Sequence, residues 1–267
     1  PALTAILGEA RAMAVCQRDS SLLRAKGATI TAAMAALREV LGAEAAERVV
    51  VAVPALLHTK EATLRTSFLE LVRIFGLQEA HAAVNSYPHL LRARSATIAG
   101  TLPALEAVLG GAAVALLKTH PGLLMSREAT IREAMPALAA VMGEEGAVAA
   151  VMGNPNLLTA RAHTIHEATA ALRQVAGEHG AARIIARQPY LLRARAGNIL
   201  GTHQKLVELL GAETAARMYS GAAAEAGFVR LLLNRAETLE ERFDVICRRA
   251  FDGDRAMAAA RVERNPG

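Results

Sequence analysis

Residues 121–131 read Pro121-Gly122-Leu123-Leu124-Met125-Ser126-Arg127-Glu128-Ala129-Thr130-Ile131. Written as a template, this is Pro-x-Leu-Leu-x-x-Arg-x-x-Thr-Ile. Copies begin at Pro54, Pro88 and Pro155, and a fourth at Pro189 replaces only the Thr, with Asn198. Two degenerate copies, at Ser20 and Val229, lack the proline. From Ser20 onward the steps are 34, 34, 33, 34, 34 and 40 residues. A glycine register runs in phase, at Gly8, Gly42, Gly76, Gly110, Gly143, Gly177 and Gly211. Self-similarity at such a period is the signature of a solenoid, in which each unit buries its apolar face against its neighbours.

One period holds two helices. The first is expected over residues 126–142, with Ile131, Met135, Leu138 and Met142 at the 3–4 spacing of one buried face. The register glycine ends it. A shorter helix, such as residues 144–152, runs to the next proline, which cannot continue it. Pro-x-Leu-Leu is then a tight turn, of 3₁₀ type, with its leucines between helices. Pro103 and Pro136 fall inside first helices and are expected to kink them or to mark their true start. No stretch alternates with period two. The fold class is therefore all-α, a superhelical solenoid, and one elongated domain. It divides into a partial repeat 1–19, repeats 20–53, 54–87, 88–120, 121–154, 155–188 and 189–228, and a capping repeat 229–267. The 189–228 unit carries a six-residue insertion, expected between Tyr219 and Phe228. The last unit is polar, with Arg242, Arg248, Arg249, Asp252 and Asp254, as a cap requires. Pro1-Ala2-Leu3 stands seven residues before Gly8, as Pro103 does before Gly110, so the chain is expected to begin inside a repeat and the natural protein to extend further toward its N-terminus.

Composition agrees with this plan. The chain of 267 residues is 53% hydrophobic but only 3% aromatic, so Ala, Leu and Val must build a core of closely packed helices. No apolar run reaches the roughly 18–20 residues needed to span a bilayer, so no membrane partner is expected. No signal or transit peptide stands at the start. Cys16 and Cys247 have no metal spacing and read as reduced thiols. The net charge is +5 and suits an anionic partner.

The chemistry sits in one column of the register: Lys26, Lys60, Arg94, Arg127, Arg161, Arg195 and Arg235. Every copy has a cation there. It falls at the first turn of the first helix, where the macrodipole disfavours positive charge by roughly 0.3–1 kcal/mol. A phosphate at the helix N-terminus would offset that, because backbone N–H groups and the cation then face the same anion. The plainer alternative is a row of solvated side chains lying over the apolar turns. A second column contributes Arg24, His58, Arg92 and Arg193, but also Met125, Thr159 and Leu233. At about 8–10 Å per stacked helix, seven units reach about 60 Å, which matches about 15–20 base pairs of duplex. Single-strand readers need aromatic platforms, and Tyr87 and Tyr190 are better read as turn residues covering a leucine. No Walker loop, HExxH motif or nucleophile elbow occurs. His163 and His166 lack a third ligand, so no metal, cofactor or enzyme activity is expected.

Tandem units of this length, with Pro-x-Leu-Leu before one helix and Leu-Gly after it, resemble the mitochondrial transcription termination factor (mTERF) family. The resemblance covers essentially the whole chain, and the Ala-rich, aromatic-poor composition is similar to a green-algal or plant organellar member. It implies a left-handed solenoid of two helices and a 3₁₀ turn per repeat. It also implies import into mitochondria, or alternatively chloroplasts, and binding of duplex DNA in a basic groove to terminate or regulate transcription. Other members act on organellar RNA. The expected partner is thus double-stranded DNA, bound by a monomer, with RNA or an acidic protein partner as the alternatives.

Overall fold

A computed structural model describes residues 2–220, 232, 236–250 and 257. Among them there are helices and turns but no strand. The chain divides into two compact units, residues 1–132 and 133–267.

The first unit opens with α1 (Ala2–Leu7) and α2 (Glu9–Arg18). A 3₁₀ turn over Ser20–Arg24 leads into α3 (Gly27–Leu41) and α4 (Ala43–Ala52). The cycle repeats with a turn at Pro54–His58, α5 (Glu61–Phe75) and α6 (Leu77–Ser86). It repeats again with a turn at Pro88–Arg92, α7 (Ser95–Leu109) and α8 (Ala112–Thr119), and a further turn follows at Pro121–Met125. First helices α1, α3, α5 and α7 pack in sequence, as do second helices α2, α4 and α6. The four 3₁₀ turns stack on one another along one edge. Each element therefore meets its own repeat's partner and its counterparts in the neighbouring repeats, which is the logic of a helical-repeat solenoid.

α9 (Glu128–Met142) passes from one unit into the next. The second unit continues with α10 (Glu144–Gly153), a turn at Pro155–Thr159, and α11 (Ala162–Arg187). α11 is two helices joined at Gly177, whose φ of 68° and ψ of 173° are not helical. A turn at Pro189–Arg193, α12 (Ala196–Leu210), α13 (Ala212–Ser220) and α14 (Ala236–Ala250) complete it. The turns at Pro155 and Pro189 pack together, as do α11 and α12. The insertion expected between Tyr219 and Phe228, and most of the linker to α14, lie outside the described residues. α14 buries Leu239 and Phe243.

The core is a ladder of aliphatic pairs. Leu56 and Leu57, Leu90 and Leu91, Leu157 and Leu158, and Leu191 and Leu192 are fully buried, and Leu123 and Leu124 nearly so. In the Ser20 copy, which lacks the proline, Leu22 is buried but Leu23 is 72% exposed. The α9 face holds Ile131, Ala134, Met135, Ala137 and Leu138 buried, while Met142 is only half-buried.

At each junction between paired helices stands a glycine with φ between 56° and 85°. Gly42 and Gly76 are typical, with ψ near 165°. That is a region only glycine enters cheaply, so the residue does more than stop a helix. It turns the chain sharply, by 119° at Gly143, and except at Gly110 lets the next helix start at the following residue.

Pro103 and Pro136 mark no helix start: α7 begins at Ser95 and α9 at Glu128. Both prolines are exposed. Water can therefore serve the carbonyls of Ala99 and Arg132, which lose their intrahelical donor. Burial of Ile98, Thr101, Ala104 and Leu105 on both sides of Pro103 keeps α7 continuous.

Candidate nucleic-acid interface

The cation column is placed by helix geometry. Lys26, Lys60, Arg94, Arg161 and Arg195 are N-cap residues of α3, α5, α7, α11 and α12, in extended backbone with φ from −60° to −76°. Arg127 immediately precedes α9, and its carbonyl accepts the Ile131 N–H at 3.2 Å. The column thus stands one step outside the first turn expected from sequence. In each of the five capped cases the carbonyl of the cation begins the helical ladder, as in Ile98 N to Arg94 O at 3.1 Å. No side chain caps these five helices. The N–H groups of their first two residues have no intrahelical acceptor, and they lie at the end where the cation stands. Arg235 lies outside the described residues.

All six described column cations are exposed. None of the ion pairs among the described residues involves them. Cations on helix bodies behave differently. Arg65 meets Glu39 at 2.9 Å and Glu61 at 3.2 Å, Lys118 meets Glu79 at 3.5 Å, and Arg132 meets Glu128 at 2.9 Å. In the second unit Arg173 meets Glu178 at 3.0 Å and Lys205 meets Glu208 at 2.6 Å. Carboxylates thus meet many cations on the helix faces, though not Arg18, which donates to Val51 O, and none of the described column.

In the first unit the stacking of turns and first helices brings Lys26, Lys60, Arg94 and Arg127 along one edge, beside Arg24, His58 and Arg92. In the second, the same packing brings together Arg161, Arg195 and Arg193. Arg24, Arg92 and Arg193 each end a 3₁₀ turn two residues before a column cation. Tyr87 caps the Pro88 turn, and its ring lies 3.4 Å from where a Cβ on Gly122 would stand. Tyr190 donates its hydroxyl hydrogen bond to Gln188 within the Pro189 turn. Both are turn residues.

Sequence reasoning missed two features of this edge. The first is an internal carboxylate. Asp19 caps the Ser20 turn, accepting from the Ser21 N–H at 3.1 Å, and lies 3.7 Å from His58 Nε2. Ser21 Oγ stands 2.9 Å from the same nitrogen. The Ser21 hydroxyl, helped by His58 and Arg92, holds the Asp19 carboxyl below its ordinary value. Since Ser21 and Asp19 approach the same imidazole nitrogen, the trio is no nucleophilic triad, which needs them on opposite nitrogens.

The second is a pair of hydroxyl clamps. Ser67 on α5 donates to the carbonyl of Ala93 at 2.5 Å, and the Thr101 hydroxyl on α7, 2.8 Å from the Thr97 carbonyl of its own helix, also stands 3.1 Å from that of Ser126. Each hydroxyl sets a first helix against the backbone immediately before the next repeat's cation. Ser67 and Thr101 stand 34 residues apart on otherwise apolar faces, and that recurrence was the available signal. Among the described residues no group of three His, Cys, Asp or Glu could hold a metal ion.

No family model matches this chain, and no curated protein matches it.

Proposed function

We propose that this chain is a non-enzymatic double-stranded DNA-binding protein of the mTERF kind, acting in organelle transcription. The mitochondrion is the proposed compartment, with the chloroplast as the alternative. The observation that carries this reading is the isolation of the column: many cations on helix bodies have carboxylate partners, whereas none of the six described column cations does. Exposed, unpaired cations, five of them at an uncapped helix N-terminus, offer charge and oriented N–H groups to phosphates spaced along a polymer. The low aromatic content favours a duplex over a single strand, since strands are held by base stacking.

Binding to a duplex of about 20 base pairs across a salt series tests this. Six phosphate contacts give a log–log slope of roughly −5. Arg161→Ala should weaken cognate and random duplexes alike and reduce that slope by about one unit. Equal or tighter binding to duplex RNA would move the function to RNA processing. Binding that ignores salt would leave a protein partner as the better account.

A further inference from the structure

The edge of the first unit is not evenly charged. In the 20–53 repeat it carries Arg24 and Lys26, both exposed and without ion pairs. In the 88–120 repeat it carries Arg92 and Arg94, followed by the neutral Ser95. The repeats that alternate with these carry a carboxylate directly after the column cation. In the 54–87 repeat Lys60 is followed by Glu61 at the first position of α5. In the 121–154 repeat Met125 replaces the second cation, and Arg127 is followed by Glu128 at the first position of α9.

Those two glutamates are held in place. Glu61 accepts from Arg65 at 3.2 Å, and that bond, after the one to Glu39, raises the guanidinium above its ordinary value. Glu128 accepts from Arg132 at 2.9 Å and lies against Gly100 on the preceding first helix. Fixed carboxylates at a helix N-terminus occupy the field that would otherwise draw a phosphate. Glu61 and Glu128 therefore repel anions at their own repeats and leave the cations of the 20–53 and 88–120 repeats as separate grips.

We infer that the first unit holds a duplex at alternate repeats, with one phosphate backbone at Arg24 and Lys26 and the other at Arg92 and Arg94. The grips are two helix-packing steps apart, about 16–20 Å. A B-form major groove is about 12 Å wide between its flanking phosphate surfaces, and the phosphate centres lie further apart by roughly their own diameter. The spacing suits two backbones crossing the edge with a groove between them. A single strand carries a phosphate on every nucleotide and would use every repeat. This inference rests on the nucleic-acid reading above and adds which repeats grip and why.

The test measures salt slopes of the full chain on a 20-base-pair duplex and on each single strand, for Lys26→Ala, Lys60→Ala, Arg94→Ala, Arg127→Ala, Glu61→Gln and Glu128→Gln. Thermal melts confirm folding. Lys26→Ala and Arg94→Ala should each lower the duplex slope by about 0.9. Lys60→Ala and Arg127→Ala should lower it by less than half as much. Glu61→Gln and Glu128→Gln should tighten duplex binding by about two- to threefold, about 0.4–0.7 kcal/mol in the range of a helix-terminus charge. If all four cations count equally and both glutamine variants are neutral, the edge is continuous and the inference falls while the nucleic-acid reading stands. If single strands bind as tightly through the same four residues, the duplex assignment falls. If no variant alters binding to any nucleic acid, the nucleic-acid reading falls with it.

Discussion

Ser67 shows how a single hydroxyl sets the geometry of a repeat. Its bond to the Ala93 carbonyl is buried, so Ser67→Ala leaves that acceptor without a donor. The substitution should cost about 1–3 kcal/mol in urea unfolding. Thr101 stands at the same place before Arg127, but its hydroxyl is shared between the Thr97 carbonyl of its own helix at 2.8 Å and Ser126 O at 3.1 Å. The residue scale also carries a pH dependence. Burial within α12 lowers the proton affinity of His203 below its ordinary value of 6.5. The unfolded chain then takes up a proton as pH falls through that value while the folded chain resists, so stability declines below about pH 6.5. His203→Gln should flatten the change in urea midpoint between pH 7.5 and 5.5. An unchanged decline would assign the effect to other groups.

At the scale of elements, most of the plan was legible because it repeats. Seven glycines in phase, and a proline before each of five Leu-Leu pairs, located nearly every helix end to within two residues. That the prolines inside α7 and α9 could mark a helix start was overturned, because local propensity says nothing of which face meets solvent. Both are exposed, where water can take the freed carbonyl. The cation column was legible as a pattern, but its lack of partners was not, because pairing depends on which faces neighbouring helices present. Glycine at a junction and glycine within a helix should behave oppositely. At Gly76 an added Cβ meets no atom within 4 Å, yet φ is 81°. Gly76→Ala should therefore destabilise by about 1–3 kcal/mol through backbone strain alone. Gly201, inside α12 with equally open space, should gain about 0.4–1 kcal/mol on substitution by Ala. Thermal unfolding of the two variants distinguishes strain from packing.

For the molecule as a whole, nearest-neighbour packing makes stability local. In such arrays each repeat is stabilised by its own contacts and by the interfaces on either side. Leu57 is fully buried in the second turn, and Leu57→Ala removes about 2–5 kcal/mol from that point. Hydrogen exchange should quicken most across residues 43–92 and least across residues 189–210. Uniform loss of protection would mean that the chain unfolds as one cooperative block. The Asp19 cluster was out of reach of the sequence for a related reason. It forms between repeats, and a period read along the chain does not say which side chains from successive turns meet.

The position of the cations at helix N-caps has one more consequence. Asp, Asn, Ser and Thr are the residues that stabilise an N-cap, by about 0.5–2 kcal/mol over residues that cannot accept the free amides. Five repeats place Lys or Arg there instead. Each forgoes a readily available gain in stability, so thermal resistance and ligand affinity should be separable by a single codon. Arg94→Asp should raise the melting temperature of the free protein while weakening its hold on duplex DNA more than Arg94→Ala does. A screen for heat-resistant variants would then drift toward proteins that fold better and bind worse.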